Sequence, residues 1–230
     1  MNWGKVECLA TRCDPHLLRP DGQQIACKPS IKYLGAMVCA SGSIDSELGR
    51  RIGIAWSTFT KLAGVWQHAR LSTKEKYNIY LSLVASQLVY GLQTVVLGRV
   101  ALRKVDAFHA RCARRICGIQ PSYWSRVSNA SVLGQLEATP LSRILLEQQL
   151  GYLGRLARRP TTCPARQLVF DQGLGLKTPT FERRRGRPNA EWASYVYKTA
   201  RSIFDSDSAF QESLLNGLSW RQRIRAHCRA

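Results

Sequence analysis

The spacing of hydrophobic residues changes near Ser43 and divides the chain into two unlike parts. Before this point, the stretch 28–38, KPSIKYLGAMV, predicts a single β-strand, and Asp21-Gly22 in PDGQQ predicts the turn of a hairpin. After it, apolar residues recur every three or four positions, at Ile44, Leu48, Ile52, Ala55, Phe59, Leu62 and Trp66. This period is that of one face of a helix. We therefore expect a short β-element followed by helices.

Helical patterns continue to the end of the chain. Ser72 and Glu75 make a capping-box pair at the start of a second helix, and a third helix is predicted over 99–117. Further helices are predicted over 128–137 and 140–159, and a last helical part from Asn189. The predicted fold class is therefore mainly α. The predicted segments are 1–40 with the strand or hairpin, 41–120 and 121–160 with helices, 161–188 as a basic loop or linker, and 189–230 as a C-terminal helical segment.

The third predicted helix separates apolar from basic residues. One face carries the apolar side chains, and the opposite face carries Arg99, Arg103, Lys104, Arg111, Arg114 and Arg115. Asp106 is the sole acid in this stretch. A solvated helix face is one interpretation. A surface that contacts phosphates is the other, and the single sign of the charge favours it.

The charge of the whole chain points to a polyanionic partner. Thirty-four Lys and Arg stand against 15 Asp and Glu, which gives a net charge of +19. Nucleic acid is the commonest polyanion, although a generally basic or ribosome-associated protein has the same balance. Eight cysteines occur without a Cys-x-x-Cys pair, and no secretory signal or run of about 20 apolar residues is found. We expect reduced thiols in an intracellular protein that does not cross a membrane.

Residues that could hold a metal or a cofactor are sparse. The sequence contains no Asp-Asp, Asp-Glu or Glu-Glu dipeptide of the kind that suits two-metal phosphoryl transfer. His109, Cys112 and Cys117 lie close together, but a structural zinc site needs a second ligand pair, and Cys112 belongs to the apolar stripe. No P-loop and no dinucleotide fingerprint is present. We therefore predict no metal site and no cofactor for this chain.

The stretch RRRGRP at 183–188 is a second basic motif with three open interpretations. It is a minor-groove arm, a nuclear localisation patch or a solvated loop. We favour nucleic-acid contact through Arg183, Arg184, Arg185 and Arg187.

Several of these stretches, taken in order, resemble the reverse transcriptase of non-LTR (LINE-type) retrotransposons. The similar stretches are NWGKVE, IKYLGAMV, GRRIGIAWSTFTKL, SLVASQLVYGLQT, LGYLGRLARRP, RRRGRPNAEW and LSWRQRI. Each match is weak, and their common order carries the resemblance. The chain departs from the pattern at Tyr152, where the family has Trp, and at Arg155, where it has His.

The resemblance implies the end of a palm, a helical thumb and a C-terminal extension. It implies that Lys5 assists proton transfer to pyrophosphate in an intact enzyme, and that Tyr33, Leu34 and Gly35 position the primer end. The catalytic Asp motifs and their Mg²⁺ belong to a part of the palm that this chain does not contain. We therefore expect no polymerase activity from the chain alone, and non-specific binding of RNA or an RNA–DNA duplex in the nucleus or cytoplasm.

Two other hypotheses remain open at this point. The chain is a stand-alone nuclear DNA-binding protein that uses RGRP in the minor groove, or a decayed element product without function. The first predicts that binding is lost when Arg185 and Arg187 become Ala. The thumb interpretation predicts that binding instead weakens when Arg111 and Arg114 are changed.

Overall fold

The computed structural model describes residues 3, 6–11, 17–177 and 191–229. The fold is mainly helical with a small antiparallel sheet near its start, which confirms the predicted fold class. The prediction of a single strand over 28–38 is wrong, because the stretch folds back on itself as β1 (Ser30–Tyr33) and β2 (Ala36–Cys39). Tyr33 faces Ala36 across the turn.

The turn between β1 and β2 has two residues, Leu34 and Gly35, whose φ values are 47° and 81°. Two-residue hairpin turns place both central residues in the left-handed region, where Gly is favoured and Leu is rare. Leu34 is therefore not a residue that predicts a turn. The turn predicted at Asp21-Gly22 is confirmed: Gly22 has a φ of 80°, and Arg19 N donates to Gln23 O at 2.8 Å.

The helical part begins with α1 (Asp45–Lys61) and α2 (Ala63–Gln67). One helix was predicted through this region, but the chain leaves the helical conformation at Leu62, whose φ is −90° and ψ is 18°. The break allows Trp66 to fold back onto α1. Its ring stacks on that of Phe59 with centroids 5.0 Å apart, and its indole N–H donates to Phe59 O at 2.8 Å.

The remaining helices follow with short connections. The capping box at Ser72 is confirmed, since its hydroxyl accepts from Glu75 N while Glu75 accepts from Ser72 N. The elements are α3 (Thr73–Tyr80), a π-helical turn (Leu81–Ala85), α4 (Ser86–Val89), α5 (Arg99–Ile116), α6 (Ser122–Ser125), α7 (Asn129–Gln135), α8 (Leu141–Ala157), α9 (Pro164–Gln167), α10 (Trp192–Arg201), α11 (Asp207–Leu215) and α12 (Gly217–Arg229). None of the helices in the described ranges is long and apolar enough to cross a membrane.

Two hydrophobic clusters form the core, and α8 contributes to both. The first joins α1, α3, α4 and α5 to the start of α8, through buried residues such as Phe59, Tyr80 and Leu145. The second joins the end of α8 to α10, α11 and α12 around Trp220. The indole N–H of Trp220 donates to Leu150 O at 3.0 Å. Because α8 is continuous, it fixes the two clusters relative to each other.

Candidate nucleic-acid interface

The hairpin tip presents two of the three residues that the resemblance assigned to primer positioning. Tyr33 and Leu34 are 63% and 77% exposed, and Gly35 forms the turn beneath them. The tip is fixed from below by Tyr90, whose hydroxyl donates to Leu34 O at 3.2 Å. The exposed tip is therefore tied to the end of α4 rather than resting on β-pairing alone.

Helix α1 fixes the same turn through a buried carboxylate. Glu47 accepts from Met37 N at 2.9 Å, from Arg50 Nε at 2.8 Å and from Arg51 Nε at 2.6 Å. Both arginines reach further and donate to Gly35 O, at 2.7 and 2.6 Å. We call this group of Gly35, Glu47, Arg50, Arg51 and the Tyr90 ring the hairpin junction.

Glu47 offsets part of the positive charge inside the hairpin junction. Burial alone raises the pKa of the Glu47 carboxyl, but hydrogen bonds from Arg50, Met37 N and Arg51 outweigh burial and lower that pKa to about 2. The guanidinium of Arg51 also lies over the Tyr90 ring, 4.5 Å from its centroid. Glu47 is therefore ionised at neutral pH and neutralises part of the charge that surrounds it.

The basic side of α5 has a different environment. Arg103, Lys104, Arg111 and Arg115 are exposed, and none of the described carboxylates forms an ion pair with them. Arg111 and Arg115 lie over the Trp56 ring of α1, 4.1 and 5.0 Å from its centroid. We call these four residues the α5 basic face. Stacking on a ring leaves the edge of a guanidinium free to donate to phosphate.

The one acid on α5 is already engaged. Asp106 Oδ1 accepts from Ser142 N at 2.9 Å, at the first turn of α8. Its role in the structure is therefore to hold two helices together, and it leaves the positive charge of the α5 basic face uncompensated on that helix.

Arg114 was predicted among the phosphate-contacting residues, but its side chain is buried and 6% exposed. It donates to Asn129 Oδ1 from Nε and Nη2 at 3.1 and 2.9 Å, to Val127 O at 2.5 Å, to Gln120 O at 3.2 Å and to Ser125 Oγ at 3.4 Å. The segment that contains α6 and the start of α7 covers this flank of α5. Arg114 therefore shapes that segment and is not available to a ligand.

His109, the centre of the weak metal candidate, is a core residue. It is fully buried between two tyrosines, with Nδ1 2.9 Å from Tyr80 Oη and Nε2 3.3 Å from Tyr77 Oη. Burial lowers its pKa to about 4, although Asp106 and the Thr139 backbone act in the opposite direction. Burial likewise raises the pKa of Cys112 to about 12, so that its thiol stays protonated.

No metal site emerges from the part of the chain that the structure describes. No group of three or more His, Cys, Asp or Glu side chains there could hold a metal ion.

A second basic region, not predicted as a site, lies in the groove between α8 and α12. The groove has a volume of about 500 Å³, and Arg155, Arg158 and Arg221 line it. Arg158 donates to Leu214 O at 2.9 Å, and its pKa is lowered by burial and by the neighbouring charges of Arg221 and Arg155. The spacing of Arg155 and Arg158 in GRLARR placed them on one side of α8, but only packing brought Arg221 beside them.

Several predicted residues fall outside the described ranges. Lys5 and the arginines of RRRGRP, namely Arg183, Arg184, Arg185 and Arg187, are among them. Their assignments stay predictions.

Comparison with known proteins gives one informative similarity. A transposon-derived protein of Caenorhabditis elegans is 27% identical over 131 residues, which are 55% of this chain and 46% of that protein. The chain thus spans about half the length of the relative it matches. No protein-family model and no solved structure matches the chain. The similarity indicates a transposon origin.

Proposed function

We propose that this chain is part of a non-LTR retrotransposon reverse transcriptase and that it binds RNA or an RNA–DNA duplex without reading sequence. In this proposal the residues up to about 40 belong to the end of a palm, the helices that follow form a thumb, and the rest is a C-terminal extension. The seven short sequence matches, which occur in the same order as in non-LTR reverse transcriptases, support the proposed family. The similarity to a transposon-derived protein supports the transposon origin.

The observation that carries the proposal is the uncompensated charge of the α5 basic face. Its four cations are exposed, they share one side of a rigid helix of 18 residues, and the single acid of that helix is bonded to α8. Successive phosphates of a nucleic acid need such a row of cations, and the resulting contacts are independent of base sequence.

The hairpin tip supplies a second element of the proposal. By the resemblance, Tyr33, Leu34 and Gly35 would position a primer end in an intact enzyme. The hairpin junction would serve this role by holding the turn at a fixed height above α1, because Gly35 O accepts from two arginines that Glu47 orients. Positioning of this kind depends on rigidity, which buried charged hydrogen bonds supply.

The proposal includes no metal-dependent step for this chain. Magnesium would belong to other carboxylates of the palm, and Lys5 would matter only beside them. A primer-extension assay with the purified chain and Mg²⁺ should give no product. Synthesis in that assay would overturn the assignment of the chain as a non-catalytic part.

Binding can be tested by fluorescence anisotropy with a labelled RNA–DNA duplex over a series of salt concentrations. If six to eight phosphates are contacted, the plot of log K against log salt should have a slope of roughly −5 to −7. Replacing all four residues of the α5 basic face by Gln should weaken binding strongly and reduce the slope by about 4.

The matched control removes four exposed cations elsewhere, by changing Lys61, Arg70, Lys198 and Arg223 to Gln. It lowers the net charge equally, so that a similar loss in both variants would point to general attraction rather than to the α5 basic face. Loss of binding in Arg185→Ala/Arg187→Ala, with the α5 variant unaffected, would instead favour the minor-groove hypothesis. A flat salt response would contradict phosphate binding altogether.

A further inference from the structure

An exposed aromatic pair lies beside the basic helix. Tyr123 and Trp124 of α6 are 73% and 74% exposed, and their rings meet edge to face with centroids 5.1 Å apart. Single exposed apolar side chains are common on protein surfaces. Two adjacent large rings that are each about three-quarters exposed are not explained by the packing of this fold. We call these two residues the aromatic tip.

The aromatic tip is held in place by the buried Arg114. The carbonyls and side chains that accept from Arg114 belong to residues 120, 125, 127 and 129, which lie on both sides of the two rings along the chain. The backbone on either side of the aromatic tip is also defined: Trp124 N donates to Pro121 O at 2.9 Å, and Arg126 takes a left-handed φ of 57°. The rings are thus presented on a fixed backbone, which lowers the entropy cost of binding through them.

The aromatic tip lies next to the C-terminal end of α5, the helix that carries the α5 basic face. Arg114 lies on α5 between Arg111 and Arg115, and its hydrogen bond to Ser125 Oγ places α6 against the C-terminal end of that helix. Arg126 follows the rings and is exposed. Two rings for bases and flanking cations for phosphates are the combination by which proteins bind single strands.

We propose that Tyr123 and Trp124 stack on unpaired bases of a single-stranded nucleic acid whose phosphates follow the α5 basic face. A duplex hides the faces of its bases in its own stack, so that it would contact the cations alone. This inference rests on the proposed nucleic-acid binding and narrows its ligand. The α5 basic face would bind single strands and duplexes alike, and the aromatic tip would add affinity for unpaired bases only.

The test compares a labelled 12-nucleotide single-stranded RNA with an RNA–DNA duplex of equal length, using the full chain. Tyr123→Ala/Trp124→Ala should weaken binding of the single strand by about 30-fold or more, because stacking of one base on an aromatic ring contributes about 1–3 kcal/mol and two bases are involved. Its affinity for the duplex should change less than about twofold, and its salt slope should stay the same, because no phosphate contact is removed. Tyr123→Phe/Trp124→Phe should keep most of the affinity.

The matched control removes two other exposed apolar side chains, by Leu168→Ala/Leu218→Ala, which are 76% and 73% exposed. It should leave binding of both ligands unchanged. Fluorescence gives a second measurement: of the six tryptophans, Trp124 should account for the quenching caused by the single strand, so that Trp124→Phe abolishes it.

Each remaining outcome is decisive. An unchanged affinity for the single strand in the double Ala variant would overturn the inference, as would equal losses for the single strand and the duplex. Loss of self-association or of a protein partner without loss of RNA affinity would assign the aromatic tip to a protein contact and overturn it as well. If the α5 variant weakens binding and the aromatic variant does not, only this inference fails. If the wild-type chain binds neither ligand, the proposed function fails with it.

Discussion

The hairpin junction and the α5 basic face both contain arginines that contact residues outside their own helix, but among the described residues only the hairpin junction has a carboxylate beside them. In the hairpin junction, Arg50 and Arg51 share the carboxylate of Glu47, whose side chain is only 3% exposed. On the α5 basic face, Arg111 and Arg115 have an aromatic ring beneath them and solvent above. One region uses cations to fix a backbone turn, and the other leaves them exposed to solvent.

This difference shows that net charge does not locate a binding surface. A chain with a charge of +19 has many arginines, and Arg114 belongs to the basic side of α5 by its position alone. Only its four acceptors reveal that its role is structural. The informative property of a cation is therefore the presence or absence of a buried partner.

The largest expected effect comes from breaking the balance in the hairpin junction. Glu47→Gln leaves two arginines without their carboxylate in a buried site, which should lower the free energy of unfolding by about 3–5 kcal/mol. Urea denaturation measures this change. Glu7→Gln is the control, because Glu7 pairs with Lys28 at the surface, where ion pairs contribute about 0–1 kcal/mol. Equal effects of the two variants would contradict the distinction between the regions.

Acid should remove the stabilising contribution of the Glu47 carboxylate in a defined range of pH. The pKa of Glu47 is about 2 in the fold against an ordinary value of 4.5, so its contribution is complete above about pH 4.5 and is lost as the pH falls toward 2. The shift corresponds to about 3 kcal/mol. Urea denaturation at a series of pH values should show this loss for the wild-type chain and not for Glu47→Gln.

His109 should produce a separate loss of stability at higher pH. Its pKa is about 4 in the fold against an ordinary 6.5, because the buried ring resists protonation. The unfolded chain therefore binds this proton first, and stability falls between about pH 6.5 and 4, by about 3 kcal/mol. The variant His109→Gln should remove the loss of stability between about pH 6.5 and 4 and keep the loss at lower pH that comes from Glu47. If the wild-type chain and His109→Gln each lose stability in one step as the pH falls, then His109 and Glu47 do not titrate as the geometry indicates.

Much of the fold could be predicted from the sequence, because its signals are local. The capping box at Ser72 and the apolar period of α5 depend on residues within a few turns of each other. The turn at Leu34 was missed because Leu rarely takes a positive φ, and here the fixed neighbours of Gly35 O impose it.

The candidate site was only partly predictable, because only its local signals can be read from the sequence. Helical periodicity placed Arg103, Lys104, Arg111 and Arg115 on one side of α5, and the structure exposes them there. Periodicity gave no sign that the segment after α5 would fold back and cover Arg114, nor that Trp56 of α1 would lie beneath Arg111. Contacts between elements distant in sequence decided both.

A smaller effect on stability is expected when the buried Arg114 is replaced, and a still smaller one when its exposed neighbour Arg111 is replaced. Arg114→Gln leaves several buried acceptors without a donor and should cost about 2 kcal/mol of unfolding free energy. Arg111→Gln loses only its contact with the Trp56 ring and should cost less than about 1 kcal/mol. Thermal unfolding of the two variants measures the contrast. Similar costs would mean that Arg114 is no more structural than Arg111.

The smallest expected effect is the change in salt slope when one charge of the α5 basic face is removed. This measurement tests whether stacking on the Trp56 ring prevents a guanidinium from contacting a ligand. Lys104→Gln and Arg111→Gln should each reduce the salt slope of RNA–DNA duplex binding by about 1, because each removes one phosphate contact. Lys104 is exposed and lies over none of the aromatic rings that the structure describes, so it provides the reference for a cation without a ring beneath it. A reduced slope for Lys104→Gln together with an unchanged slope for Arg111→Gln would show that stacking on Trp56 occupies Arg111. The partner-facing surface would then be narrower than the exposed charge suggests.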